Sequence, residues 1–210
     1  MKIIILFLII ISNSMILSQT IAVTEKGDSV VLYNNGTWEY LTEYSDLTDS
    51  SVIVPDTNKT DFYRPLNSKR LLKGQRTNYE LWYNSDIWHL KENNLSSIEY
   101  ELTDNNEEMI CIVIPERITV SIDALKQLAI TNGKNASTKF RILKEEVRKV
   151  NNKYVYMLKF SATVKGINFI YIGYYVAGET NCIQLLTMTP ENLFSEHKEE
   201  LENILNGLIY

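Results

Sequence analysis

The sequence predicts an α+β protein, an antiparallel sheet of about six to seven strands sandwiched by two helices, preceded by a small three-stranded meander. Runs of β-rich residues separated by short turns containing Asn or Gly predict antiparallel strands. Two stretches change to helical spacing, one in the middle of the chain and one at its end. Hydrophobic residues are 45% and charged residues 22% of the 210 residues, which is the composition of a globular protein.

Residues 1–18 have the layout of a secretory signal peptide. Lys2 supplies a positive start, residues 3–11 form an unbroken apolar run, and Ser18 is a small residue of the kind found at cleavage sites. An uncleaved membrane anchor is the alternative, but this run is much shorter than the roughly 20 residues that span a bilayer. We therefore expect export to the periplasm or to the exterior, with no stable transmembrane segment after cleavage.

Residues 19–41 predict the small β-meander, with strands at 20–24, 29–33 and 37–41. The connection Asn34-Asn35-Gly36 favours a tight hairpin, because Asn and Gly tolerate the positive φ that such a turn requires. Three strands of this length enclose little core, so we expect the meander to pack against something else.

Residues 42–76 predict a linker, since Ser, Thr, Asp and Asn are frequent and hydrophobic periodicity is almost absent. Residues 42–61 hold five acids and one base, whereas residues 64–76 hold five bases and no acid. The bases are Arg64, Lys69, Arg70, Lys73 and Arg76. This basic stretch indicates either a docking segment for an acidic partner or surface, or a solvated tether.

The main domain is predicted over residues 77–210. A first strand is expected at 79–83, followed by a hairpin of residues 97–103 and 107–115. The apolar spacing then becomes helical over residues 121–132. Ser121 can cap the start of this helix and Gly133 can close its end.

Four long strands are expected next, at residues 140–150, 154–164, 167–177 and 182–188. Each connection is too short for a parallel crossover, so these strands predict a continuous antiparallel meander. Thr189-Pro190 opens the predicted terminal helix, whose buried stripe is Phe194, Leu201, Ile204, Leu205 and Leu208. A helix on each face of one sheet would bury both helical stripes.

This order of elements resembles the PsbP-like superfamily over residues 77–210. The resemblance rests on the aromatic opening YELWYNSDIW, the helix SIDALKQLAI, the late meander and the closing helix FSEHKEELENILNGL. It implies a non-catalytic binding, assembly or accessory protein. No metal or partner site of the family matches residue by residue, so none is transferred to this chain.

The chain offers little material for catalysis or metal binding. The net charge of -5 disfavours nucleic acid as a partner. Neither His89 nor His197 lies in a zinc-binding motif, so we expect no metal and no cofactor. His89 could serve as a general base only with a nucleophile that the sequence does not reveal. The pairs Glu107-Glu108 and Glu145-Glu146 would each point to opposite faces of a strand, so neither would converge on a substrate.

Cys111 and Cys182 lie in different predicted strands. An oxidising compartment permits a disulfide, but the bond requires Cα atoms within roughly 7 Å of each other. Cys111 lies inside the apolar run 109–114, which suits an ordinary buried thiol. We favour two free buried cysteines over a disulfide.

The candidate ligand or partner surface combines aromatic residues with the basic linker: Trp82, Tyr83, Trp88, His89, Arg64, Lys69, Arg70 and Lys73. The alternative is that these aromatic residues form the packed face of a sheet. The prediction is an exported, non-enzymatic binding or accessory protein, whose partner is an unknown protein, peptide or small ligand. The alternatives are an immunity or inhibitor protein against a toxin or hydrolase, and a hydrolase using His89.

Overall fold

The computed structural model describes residues 20–23, 29–32, 38–40, 56–93 and 95–210. The chain divides into two compact units, Met1–Pro55 and Asp56–Tyr210. The predicted signal peptide at residues 1–18 and the predicted turn at residues 34–36 lie outside the described residues.

In the first unit, three short strands form an antiparallel sheet in chain order. They are β1 (Thr20–Val23), β2 (Ser29–Leu32) and β3 (Trp38–Tyr40). These bounds agree with the predicted strands to within one residue at each end. Leu32 pairs with Trp38 in register, and both side chains are exposed.

The second unit contains two sheets and two helices. Its elements in chain order are β4 (Asp56–Phe62), β5 (Arg70–Lys73), β6 (Glu80–Tyr83), β7 (His89–Lys91), β8 (Tyr100–Thr103), β9 (Ile110–Glu116), α1 (Ile122–Asn135), β10 (Lys139–Val150), β11 (Lys153–Val164), β12 (Ile167–Ala177), β13 (Cys182–Pro190), α2 (Phe194–Leu205) and β14 (Leu208–Ile209). The larger sheet has the order β4-β10-β11-β12-β13-β9-β8-β7, and the smaller one the order β14-β6-β5.

Two tight turns set the register of the long meander. Asn151 and Asn152 have φ values of 48° and 67°, and Lys165 and Gly166 have φ values of 48° and 82°. Consecutive residues with positive φ match the right-handed twist of the flanking strands. The predicted antiparallel meander is therefore observed in β10 to β13, with bounds within two residues of those predicted.

The prediction of a purely antiparallel sheet of six to seven strands is wrong at one edge and in the strand count. The larger sheet has eight strands, and β4 pairs with β10 in parallel. The sequence of β4 is polar, and contacts distant in sequence hold the strand: Asn58 donates to Glu146 at 3.2 Å, and Lys149 pairs with Asp61 at 3.0 Å. Residues 56–76, where a linker is predicted, thus contribute two strands to the second unit.

The two helices cover opposite faces of the larger sheet, as predicted. Lys126 of α1 binds Glu145 at 2.6 Å, and Glu202 of α2 lies 3.9 Å from Arg148. Residues 145 and 148 lie on opposite faces of β10, since their positions differ by an odd number. The main core lies under α2, where Leu201, Ile204 and Leu205 pack on the sheet.

Both helices differ from the prediction at their ends. Ser121 caps α1 by accepting from the backbone N–H of Ala124, but the helix continues past Gly133 to Asn135. Gly133 serves packing instead, because a Cβ there would lie 2.4 Å from the Phe140 ring. Pro190 ends β13, and a 3-10 turn precedes α2. No helix in the described part of the chain is long and apolar enough to cross a membrane.

Candidate functional site

The smaller sheet carries several of the predicted partner residues. In its central strand β6, Leu81 and Tyr83 are buried, while Glu80 and Trp82 are half-buried on the other side. On the neighbouring strand β5, Leu71 lies opposite Trp82 and Lys73 opposite Glu80. Alternation along the strands therefore gives this sheet an outer face that carries Trp82 and Lys73.

Trp82 is held in a fixed position on this outer face. The guanidinium of Arg64 lies 4.2 Å from the centre of the indole ring, and the indole N–H donates to Glu80 at 3.1 Å. Arg64 is itself positioned by its backbone N–H, which donates to Asn151 Oδ1 at 2.9 Å. A cation over an aromatic face is attractive by about 0.5–1 kcal/mol at exposed sites. The pair therefore presents an ordered, half-exposed surface.

Four of the five bases in the predicted basic stretch are available to a partner. Arg64, Lys69, Arg70 and Lys73 are exposed, and none forms an ion pair with another residue of the described ranges. Arg76 differs, because its guanidinium lies 3.8 Å from Glu99 and donates to the Ser97 carbonyl at 3.3 Å.

Apolar side chains lie in the loop between β4 and β5, next to these bases. Tyr63 is 57% exposed and Leu66 is 98% exposed. We call the combination of Tyr63, Arg64, Leu66, Lys69, Lys73 and Trp82 the basic-aromatic surface. Arg70 is not part of it, because it pairs with Tyr83 on the other face of the smaller sheet. Exposed aromatic, apolar and arginine side chains together are typical of protein interfaces.

The other three predicted surface residues lie elsewhere. Tyr83 and Trp88 belong to the main core, with Trp88 only 1% exposed. His89 is exposed on β7, an edge strand of the larger sheet, where it pairs with Thr103. Its ring forms no hydrogen bond within the described residues. The structure therefore places Trp82 beside Arg64 and on the same face of the smaller sheet as Lys73, and it separates Trp82 from Trp88 and His89.

Both cysteines are buried and free. Cys111 pairs with Thr187 on β13, five positions from Cys182, which corresponds to about 17 Å along a strand. Burial raises the pKa of Cys182 to about 12, with Glu116 adding to the effect, and burial also raises the pKa of Cys111. Burial and the raised pKa values therefore predict that both thiols are protonated and react slowly in the folded protein.

A buried ionic network under α2 has no counterpart in the sequence analysis. Arg148 donates to Glu146 at 2.5 Å and to the Tyr174 hydroxyl at 3.1 Å, and that hydroxyl donates to Asn206 at 2.8 Å. Alternation places Glu146 and Arg148 on one face of β10, but the sequence does not show that this face is buried. The network joins β10, β12 and the end of α2.

The described residues contain no group of three or more His, Cys, Asp or Glu side chains that could hold a metal ion. Of these two polar features of the described residues, the basic-aromatic surface is exposed and the network under α2 is buried.

Comparison with solved structures finds a PsbP protein and a cell-envelope protein. The solution structure of cyanobacterial PsbP (CyanoP) from Synechocystis sp. PCC 6803 is 12% identical with a TM-score of 0.51, and the match covers 69% of this chain and 94% of CyanoP. LpqN, which is involved in cell envelope biogenesis of Mycobacterium tuberculosis, is 14% identical with a TM-score of 0.48, covering 66% and 88% of the two chains. The sequence matches no protein-family model and no curated protein.

At this identity the likeness to CyanoP establishes the fold alone. It agrees with the order of elements that the sequence predicts over residues 77–210, and it confirms the PsbP-like resemblance. The chain has a PsbP-like fold.

Proposed function

We propose that this chain is a non-catalytic accessory protein that acts outside the cytoplasm and binds an acidic protein partner through its basic-aromatic surface. The proposal rests on Arg64, which stacks over Trp82, and on the exposed Lys73, which lies on the same face of the smaller sheet. The likeness to CyanoP supports an accessory role, and the signal-peptide pattern of residues 1–18 supports export.

The chemistry of the surface favours a protein partner with acidic groups. Tryptophan, tyrosine and arginine contribute most of the binding energy at protein interfaces. Because Arg64 and Glu80 already hold Trp82 in place, little side-chain freedom is lost on binding. Lys69 and Lys73 would attract an acidic partner and increase its association rate at low salt.

The experiment uses the full chain as affinity bait against cell-envelope extract from its host, followed by measurement of Kd with the purified partner. The double variant Lys69→Glu/Lys73→Glu changes only exposed side chains, so it should fold normally. Lys134→Glu, an exposed residue of α1, is the matched control.

We expect the wild type and Lys134→Glu to bind the same acidic partner with equal affinity. Trp82→Ala should weaken binding by about thirtyfold, the effect of a 2 kcal/mol interface residue. The double variant should lose both affinity and salt dependence. Retention of wild-type affinity by both Trp82→Ala and the double variant would show that the partner binds elsewhere.

A further inference from the structure

A second group of cations lies on the α2 face of the larger sheet. The strand register places Lys144 of β10 directly opposite Lys159 of β11. Side chains in such positions have Cβ atoms about 5 Å apart, and like charges there are destabilising. The repulsion between Lys144 and Lys159 therefore destabilises the folded chain.

A β-bulge adds a further cation to the same face. Arg141 pairs with Ser161, whereas Lys144 pairs with Lys159, so the register shifts by one residue between positions 142 and 144. Without this shift, Arg141 and Lys144 would point to opposite faces, because their positions differ by three. Bulges commonly redirect side chains next to functional sites.

Helix α2 contributes Lys198. The Lys159 ammonium lies 3.9 Å from the centre of the Phe194 ring, and Lys198 is one helical turn further along the same face of α2. Burial lowers the pKa of Lys159, and the charge of Lys198 lowers this pKa further.

The neighbouring carboxylates do not balance these cations. Glu146 binds Lys144 at 2.7 Å but is already paired with Arg148 at 2.5 Å. Glu202 also lies beside Arg148, at 3.9 Å. Glu146 and Glu202 thus act on Arg148, Lys144 and Lys159, and neither Arg141 nor Lys198 forms an ion pair within the described residues, which leaves an excess of positive charge.

We propose that Arg141, Lys144, Lys159 and Lys198 form a binding site for a phosphate group. The excess positive charge suits a multiply charged anion, and Lys and Arg donate charge-assisted hydrogen bonds to phosphate oxygens. The site lies near the start of α2, whereas the smaller sheet follows its end, about 18 Å away along the helix. It is therefore separate from the basic-aromatic surface.

The test measures thermal unfolding of the full chain in inorganic phosphate and in chloride at equal ionic strength, with acetate as a third arm. The variants are Lys159→Met and Lys198→Met, and Lys134→Met on the opposite face is the control. Lys198 is exposed, so its substitution should not affect folding.

We expect phosphate to raise the Tm of the wild type and of Lys134→Met above the value in chloride. Each site variant should bind phosphate at least about tenfold more weakly. In chloride, Lys159→Met should be at least as stable as the wild type, since it removes a half-buried charge from among like charges. If Lys159 instead stabilised the fold, Lys159→Met would have a lower Tm than the wild type in chloride.

The proposal is overturned if phosphate and chloride give the same Tm for the wild type, or if Lys198→Met keeps the full phosphate effect. If acetate raised the Tm as much as phosphate does, the site would bind oxyanions in general, and the assignment to phosphate would be overturned.

Discussion

Glu145 and Glu146 extend from opposite faces of β10, and each binds a cation on its own face. Glu145 accepts from Lys126 of α1 at 2.6 Å, whereas Glu146 accepts from Arg148 at 2.5 Å beneath α2. Consecutive strand residues point to opposite faces, so one dipeptide interacts with both outer layers of the second unit.

Glu146→Gln should lower the free energy of unfolding by about 3 kcal/mol, because Arg148 would remain buried and charged without its carboxylate. Urea denaturation at pH 7 measures this change. Glu107→Gln is the matched control, since the Lys91–Glu107 pair is partly exposed and should contribute less than about 1 kcal/mol. Equal effects of the two substitutions would contradict a structural role for the buried network.

The Glu146–Arg148 pair should make the free energy of unfolding depend on pH in the acidic range. Burial alone would raise the pKa of Glu146, but hydrogen bonds from Lys144 and Arg148 outweigh it and bring the pKa below the ordinary 4.5. The unfolded chain therefore takes up this proton at higher pH than the folded chain. The contribution of Glu146 to stability is complete above pH 4.5 and is lost as the pH falls through the folded pKa. Between pH 6 and pH 3, the wild type should lose more stability than Glu146→Gln, and parallel pH profiles would count against this.

Asn151 joins three segments of the second unit. Its side-chain amide donates to the carbonyls of Asn206 and Leu208, both at 2.9 Å, and its Oδ1 accepts from the backbone of Arg64. Asn151→Gly keeps the positive φ but loses these bonds, so we expect a cost of about 2 kcal/mol. Asn151→Ala should cost about 1 kcal/mol more, because alanine also resists positive φ. Urea denaturation compares the two, and a smaller cost for alanine would rule out this explanation.

Gly207 allows the end of α2 to approach β6 closely. A Cβ at this position would lie 1.8 Å from the Trp82 carbonyl oxygen, and the Gly207 carbonyl accepts from the Trp82 N–H at 3.0 Å. Gly207→Ala should therefore destabilise the protein by more than about 2 kcal/mol. Chemical denaturation followed by the combined fluorescence of the three tryptophans measures this loss of stability. A variant with wild-type stability would mean that β14 can shift without cost.

The cysteines should remain reduced and protected. The intact mass of the unreduced protein should equal that of the reduced protein, and a thiol reagent should label neither Cys111 nor Cys182 until the protein is unfolded. Burial, which raises the pKa of Cys182 to about 12, is the reason for the slow reaction. A mass lower by two hydrogens would reveal a disulfide, and rapid labelling of the folded protein would reveal an accessible thiol. Either result would contradict the prediction.

Local sequence was sufficient to predict the long meander and both helices. Asn151-Asn152 and Lys165-Gly166 are turn signals in their own right, and the strands that they join have clear apolar patterns. Strand β4 could not be predicted in this way. Its sequence, DTNKTDF, has no apolar alternation, and its partners on β10 are more than eighty residues away.

The candidate surface was predictable only in part. Trp82 and Trp88 look alike in sequence, but strand alternation places Trp82 on the outer face of the smaller sheet, while Trp88 enters the core. The like-charge pair of Lys144 and Lys159 depends on a register shift, which hydrophobic pattern does not reveal.

The parallel pairing of β4 with β10 also determines how the protein should respond to force. Asp56 pairs with Glu146 at one end of β4, and Phe62 pairs with Val150 at the other end. This second end is close to the turn into β11, where the Tyr154 carbonyl accepts from the Tyr210 hydroxyl. Tension applied between Asp56 and the C-terminus would thus act along β4, and its hydrogen bonds to β10 would be loaded together in shear. Such an arrangement resists pulling, because several hydrogen bonds must break at the same time.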